Sequence, residues 1–226
     1  MRKVSSILIL LLFFSCNKVT ETENEINSVQ AVLNFYNGEC FKSKGFEKGN
    51  GVDKQYYEIE ISKSELLNQS PDKIKSHSGN IAYLFYSNLK NEKSNYNEIK
   101  VKINLSNGET QSFKYSDIEL NEIEKFQPKI NEIIKYIKTE DYENLTKQFE
   151  DSIKIEKKTI SELFNSLQSK FGKINRTQFQ GFQFEDSKNF GKLTIIREAL
   201  VFEKITASMN LIFNKESKNL ISVEFL

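Results

Sequence analysis

Residues 174–226 read INRTQFQGFQFEDSKNFGKLTIIREALVFEKITASMNLIFNKESKNLISVEFL, and this stretch decides the architecture. Four runs with a period of two lie in it: Ile174 to Phe184, Leu193 to Phe202, Ile205 to Phe213, and Leu220 to Leu226. Short polar breaks separate them, as expected of an antiparallel meander. Phe179 and Phe182 have opposite parity in the first run, so a β-bulge near Gly181 is expected to bend it. Immediately upstream the period is helical. Ile160, Leu163, Phe164, Leu167 and Phe171 share one helix face, Thr159-x-x-Glu162 forms a capping-box pattern, and Gly172 stops the helix. Further back, Ile130, Ile133, Ile134 and Ile137 mark one helix and Tyr142, Leu145 and Phe149 the next.

Ser116-x-x-Glu119 caps a linking helix with Ile118, Ile123 and Phe126, and Pro128 is expected to interrupt it, since proline inside a helix removes a hydrogen bond and clashes with the preceding turn. The domain boundary is placed there. Residues 28–115 then form a first α+β domain in the order α-β-α-β-β. Val29, Val32, Leu33 and Tyr36 have helical spacing, with Asn37-Gly38 as the stop. Gly38, Gly45, Gly49 and Gly51 cluster without a preceding strand or a Gly-Lys-Ser/Thr, so a mobile surface loop is expected rather than a phosphate site. Tyr57, Ile59 and Ile61 alternate with glutamates as a half-exposed strand. Ser70-Pro71-Asp72 opens a helix carrying Ile74, Ile81, Leu84, Phe85 and Leu89, and its small residues Ser78, Gly79 and Ala82 fit close packing on a sheet. Ile99, Val101, Ile103 and Leu105 alternate up to Asn107-Gly108, which turns the chain into Gln111, Phe113 and Tyr115 as a hairpin.

The second half, residues 128–226, resembles the nuclear transport factor 2-like, or cystatin-like, cone in its order of three helices followed by a curved four-stranded sheet. It is similar to a branch of uncharacterised secreted proteins and lipoproteins through Glu140-Asp141-Tyr142-Glu143, the helix ending at Phe171-Gly172, and the strands Ala207 to Phe213 and Ile221 to Phe225. Thr139-Glu140 stands where that branch has glycine. The resemblance implies a concave apolar face lined by Phe184, Ile195, Met209, Leu211, Phe213, Val223 and Phe225, which either fills a core or lines a pocket for an apolar small ligand. The same fold hosts ketosteroid-isomerase-like and cyclase enzymes that use an acid in the cone. Glu198 and Glu203 are the acids that such an activity would use here, and both are expected to face solvent or a strand end. Arg197 points to the face opposite Glu198 in a regular strand.

The N-terminus has the parts of a secretory signal: Arg2 and Lys3, an apolar run from Ile7 to Phe14, and Ser15 before Cys16. Eight apolar residues are too few to span a bilayer as a helix. The segment LFFSC resembles a bacterial lipobox, with Phe13 and Phe14 in place of the usual aliphatic and small residues. That resemblance implies cleavage after residue 15 and lipidation of Cys16 with palmitate-type chains; an ordinary secretory signal with an incidental cysteine is the other reading. Asn17 after Cys16 favours the outer membrane. Residues 16–27 then read as an acylated cysteine and a flexible acidic tether.

Loss of Arg2 and Lys3 from the 32 basic residues, against 31 acidic ones, leaves a net charge of −1. With Arg176 and Arg197 as the only arginines remaining, nucleic acid is excluded as a partner. With Cys16 acylated, Cys40 has no partner for a disulfide, and it reads as a buried thiol. His77 lies on the apolar stripe of its helix without a second ligand at i+3 or i+4, so neither metal nor cofactor is implied. Asp151-Ser152-Ile153 matches the three-residue O-glycosylation pattern of some envelope proteins. The function expected is therefore a lipid-anchored, non-catalytic binding or interaction protein of the cell envelope, taking an envelope protein or apolar ligand. The alternative is an enzyme of isomerase or cyclase type.

Overall fold

The computed structural model describes residues 21–49 and 52–226, so the expected signal segment and Cys16 lie outside the described residues. Helix α1, Glu23–Tyr36, starts on a capping box: the Thr22 hydroxyl accepts from the Glu25 amide at 3.2 Å, and the Glu25 carboxylate accepts from the Thr22 amide at 2.8 Å. The acidic run expected to belong wholly to a tether therefore ends in ordered helix from Glu23 onward. Two donors that a helix start leaves orphaned are satisfied by this reciprocal pair. Asn37 at φ 53° and Gly38 at φ 87° terminate α1 as expected.

The glycine-bearing segment is a strand, not a loop. β1, Glu39–Gly49, pairs antiparallel with β2, Val52–Ser62, from Glu39↔Ser62 to Gly49↔Val52. Gly45 is where Tyr56 lies across the strand, and a Cβ there would strike its ring. The first half is thus α-β-β-α-β-β rather than α-β-α-β-β. After β2 a short helix, α2 (Glu65–Asn68), and a 3₁₀ turn at Pro71–Lys73 lead into α3, Ile74–Asn88. Ser70 makes no side-chain cap, while Pro71 occupies the first turn, where its missing N–H costs nothing. α3 carries the chain across to β3, Glu98–Asn104, which lies parallel to β2. β4, Thr110–Ser116, returns through the hairpin at Asn107-Gly108, with Gly108 at φ 87°. The sheet order is β1-β2-β3-β4. Tyr57, Ile59, Ile61, Ile99, Val101 and Ile103 fill the core side. The other face carries paired charges such as Lys102–Glu60 at 3.1 Å.

Helix α4, Asp117–Lys138, opens on the expected Ser116–Glu119 box and runs through Pro128 without a break. The boundary drawn at residue 128 thus falls inside one helix. Pro128 is exposed, and the stripe Leu120, Ile123, Phe126, Ile130, Ile133, Ile137 stays buried on both sides of it, so packing outweighs the local loss of a hydrogen bond. Glu140, at φ 58°, turns the chain in the left-handed conformation that glycine adopts freely. α5 is Tyr142–Thr146 and α6 is Lys157–Phe171. Glu156 is the N-cap of α6 and makes no side-chain cap, so Thr159 lies inside the helix and its expected capping box does not form; Gly172 at φ 86° ends it.

The second sheet is the expected meander: β5 (Ile174–Ser187), β6 (Gly191–Phe202), β7 (Thr206–Asn214) and β8 (Leu220–Phe225), in that order and antiparallel throughout. The register shifts between Phe179 and Gly181, so Phe179 (opposite Glu198), Phe182 (opposite Ile196) and Phe184 (opposite Thr194) share one face. The protein is thus an α+β molecule with two four-stranded sheets. One continuous buried cluster runs from Val29 to Leu220 through both. Phe126, Phe164, Phe182 and Phe213 are completely buried in it, each contributing roughly 2–3 kcal/mol relative to exposure. α3 joins the halves. A Cβ at Gly79 would meet the Phe182 carbonyl at 2.6 Å, and one at Gly181 would strike the Ser76 carbonyl, so helix and strand touch backbone to backbone.

Candidate functional site

The strands that end each sheet, β4 and β5, flank a groove. It consists of two hollows of about 220 and 230 Å³ that share Glu119 and Phe184. One is walled by Phe113, Lys114 and Tyr115 of β4 and by Gln183 of β5; the other by Glu185, Asp186, Lys192 and Lys215. Aromatic edges form the floor. Tyr115 meets Phe182 with ring centroids 5.5 Å apart, Phe182 meets Phe184 at 5.4 Å, and Lys215 Nζ stands 4.1 Å from the Phe184 centroid while bonded to Glu122 at 3.0 Å. Burial pushes the Tyr115 phenol up to about 12, so it stays protonated, and its oxygen lies 2.6 Å from Ser78 Oγ and 3.3 Å from the Lys75 carbonyl that accepts from it. Helix α3 thereby holds the β4 side and, through Gly79, the β5 side.

Of the residues expected to line a cone, Phe184, Met209, Leu211, Phe213, Val223 and Phe225 do share one face, as cross-strand pairing with Thr194, Ile196 and Glu198 requires. Ile195 does not. It pairs with Ile212 and faces the opposite side, because Ile196 takes the inward place opposite Leu211. Met209, Leu211 and Phe213 are wholly buried, with Phe126 of α4 5.3 Å from Phe213 and Phe164 of α6 5.6 Å from Phe225. Phe184 alone of the set reaches the groove among the cavities described.

Glu198 is the second departure. It points inward between Phe179 and Met209 and is 4% exposed, not solvent-facing. Desolvation alone raises its pKa to about 8, so it is neutral through most of the physiological range. Glu203 is exposed at the end of β6, as expected. Arg197, on the other face, donates from Nε to Asn210 Oδ1 at 3.3 Å.

His77 is buried on α3, edge-on to Tyr36 at 5.7 Å, and its Nδ1 lies 3.3 Å from the Tyr36 hydroxyl, which accepts from Asn80 Nδ2 at 2.9 Å. Burial, reinforced by Arg197, lowers its pKa to about 4. Cys40 is half-buried on β1 with its thiol pushed up to about 11 by burial, which removes thiolate character. Among the described residues no three His, Cys, Asp or Glu gather as a metal would require, and no helix is long and apolar enough to cross a membrane. Ser152 is exposed in the turn between α5 and α6.

The apolar linking helix implies two halves held in a fixed arrangement with a groove between them, but the lining of that groove is not legible in the sequence because its parts are distant in the chain; of the residues expected to line a pocket only Phe184 belongs to it. No protein-family model matches this chain, nor does any curated protein or solved structure.

Proposed function

We propose that the protein is a non-catalytic interaction module of the cell envelope, held by a lipid on Cys16, that receives an extended segment of a partner protein in the groove between β4 and β5. The groove is the observation that carries this reading. Terminal strands offer backbone N–H and C=O groups to an added chain, an aromatic floor supplies apolar contact, and a rim of both charge signs sets register. Asn17 after the cysteine supports outer-membrane residence. The succession of α4, α5, α6 and the β5–β8 meander supports a nuclear transport factor 2-like second half, acting as a filled scaffold rather than a container. A proton-shuttling enzyme is the second reading. The raised pKa of Glu198 favours it, and the packing of that carboxyl between Phe179 and Met209 weighs against it.

Two experiments test the proposal. Labelled palmitate should enter the protein and be lost in Cys16→Ser; label retained in that variant removes the anchor. Photo-crosslinkers at Lys114 and Gln183 in the native envelope should capture one common protein that a crosslinker at Glu216 does not. Equal capture from all three positions removes the groove as the binding surface.

A further inference from the structure

Phe41 and Phe46 are 67% and 69% exposed, and among the described residues no other phenylalanine or tyrosine is exposed. Both lie on β1, which among the described residues pairs only with β2, so that its other edge is the outer edge of the sheet. Such an edge invites pairing or aggregation unless something covers it. Their positions in the strand have opposite parity, so they flank the edge from the two faces of the sheet rather than sharing one face.

Where the chain leaves the described structure says what covers this edge. Glu21 accepts from the Tyr57 hydroxyl at 2.7 Å and pairs with Lys42, which lies on β1 between the two phenylalanines. Five peptide units separate Cys16 from Glu21, and they span at most about 18 Å however they are arranged. Phe41 and Phe46 stand about 3 and 14 Å along the strand from Lys42. An acyl chain on Cys16 therefore holds the free edge within a short reach of the bilayer. The charges nearby are matched, Lys42 with Glu21 and Lys44 with Glu25, so the attraction available is apolar rather than electrostatic.

We propose that the free edge of β1 docks on the lipid surface bearing the Cys16 anchor, with Phe41 and Phe46 inserted at the headgroup boundary. The inference rests on the lipid-anchor reading. It orients the molecule edge-on, with the outer edge of β1 against the lipid.

The chain contains no tryptophan, so Phe41→Trp and Phe46→Trp each place a single fluorophore, and Ile205→Trp, on the β6–β7 turn, serves as the control. Full-length acylated protein is reconstituted into phosphatidylethanolamine/phosphatidylglycerol vesicles containing brominated chains. Quenching of about twofold at positions 41 and 46, absent at 205 and unchanged at high salt, is the expected result for interfacial insertion. Acyl label present with no quenching at 41 and 46 overturns the docking alone, whereas absent label overturns the anchor and the docking with it. Blue-shifted emission without quenching assigns the edge to a second copy of the chain and overturns the proposal. Quenching abolished by salt does the same, because it replaces apolar insertion by charge attraction.

Discussion

Replacing Glu198 with Gln should remove a pH dependence of stability that the wild-type chain carries. The carboxyl is 4% exposed between Phe179 and Met209, and its pKa rises from an ordinary 4.5 to about 8 through desolvation. Between those two values the folded state holds a proton that the unfolded state has released. Stability from this group is therefore complete below about 4.5, falls as pH rises, and levels off above about 8. At about 1.4 kcal/mol per pH unit the gap bounds the loss at about 5 kcal/mol. Urea denaturation of soluble Cys16→Ser protein at pH 5 and pH 9, with and without Glu198→Gln, isolates the effect, since other titrating groups cancel in the difference. The variant should match its parent within about 1 kcal/mol at pH 5 and exceed it by about 3–5 kcal/mol at pH 9. A difference that does not change with pH would mean that Glu198 reaches water, and the packing argument against a catalytic cone would fall with it.

Three further outcomes are expected. His77, the only histidine, should show no imidazole titration by NMR above pH 5, because its pKa is lowered from 6.5 to about 4; stability from it is full above 6.5 and declines as pH falls, by up to about 3 kcal/mol. Gly181→Ala, at φ 131° and against the Ser76 carbonyl, should cost more than about 3 kcal/mol, whereas Gly108→Ala, at φ 87° with nothing within 4 Å, should cost about 1 kcal/mol; equal losses in denaturant midpoints would deny the close approach of β5 to α3. Pro128→Ala should stabilise the fold by up to roughly 3 kcal/mol, the cost of an interior proline, and so raise Tm; a lower Tm would show that the proline itself is needed for α4 to follow the core.

The parts of this fold that were legible in the sequence are those where burial on one side leaves a periodic trace. β5 to β8 alternate cleanly, and the mismatched parity of Phe179 and Phe182 announces the bulge before Gly181. β1 left no such trace. Lys42 and Lys44 take the core-facing side of the strand against Glu21 and Glu25, while Phe46 on that same side and Phe41 on the other are exposed, so no apolar alternation marks it. The Thr22–Glu25 box was hidden inside an acidic run that otherwise reads as tether. The inward placing of Glu198 is not legible locally, because the sidedness of a strand comes from its partners, and the pairing with Met209 lies beyond local pattern. The local cost of Pro128 points to a helix break, which the buried stripe on either side of it overrides. The groove at Phe184 needed residues from α3, the β4–α4 junction, β5 with the start of β6, and the end of β7 to meet.

The placing of α3 bears on how the chain is made. Its β5-facing surface is built from Ser76, Gly79 and Tyr83, so as the polypeptide emerges from its N-terminus this surface waits for a strand about a hundred residues downstream. A helix that presented leucines there would leave the half-finished chain adhesive during synthesis. Small and hydroxylated residues leave it benign, and the two sheets can be joined late, by a contact that shows little grease until the moment it closes.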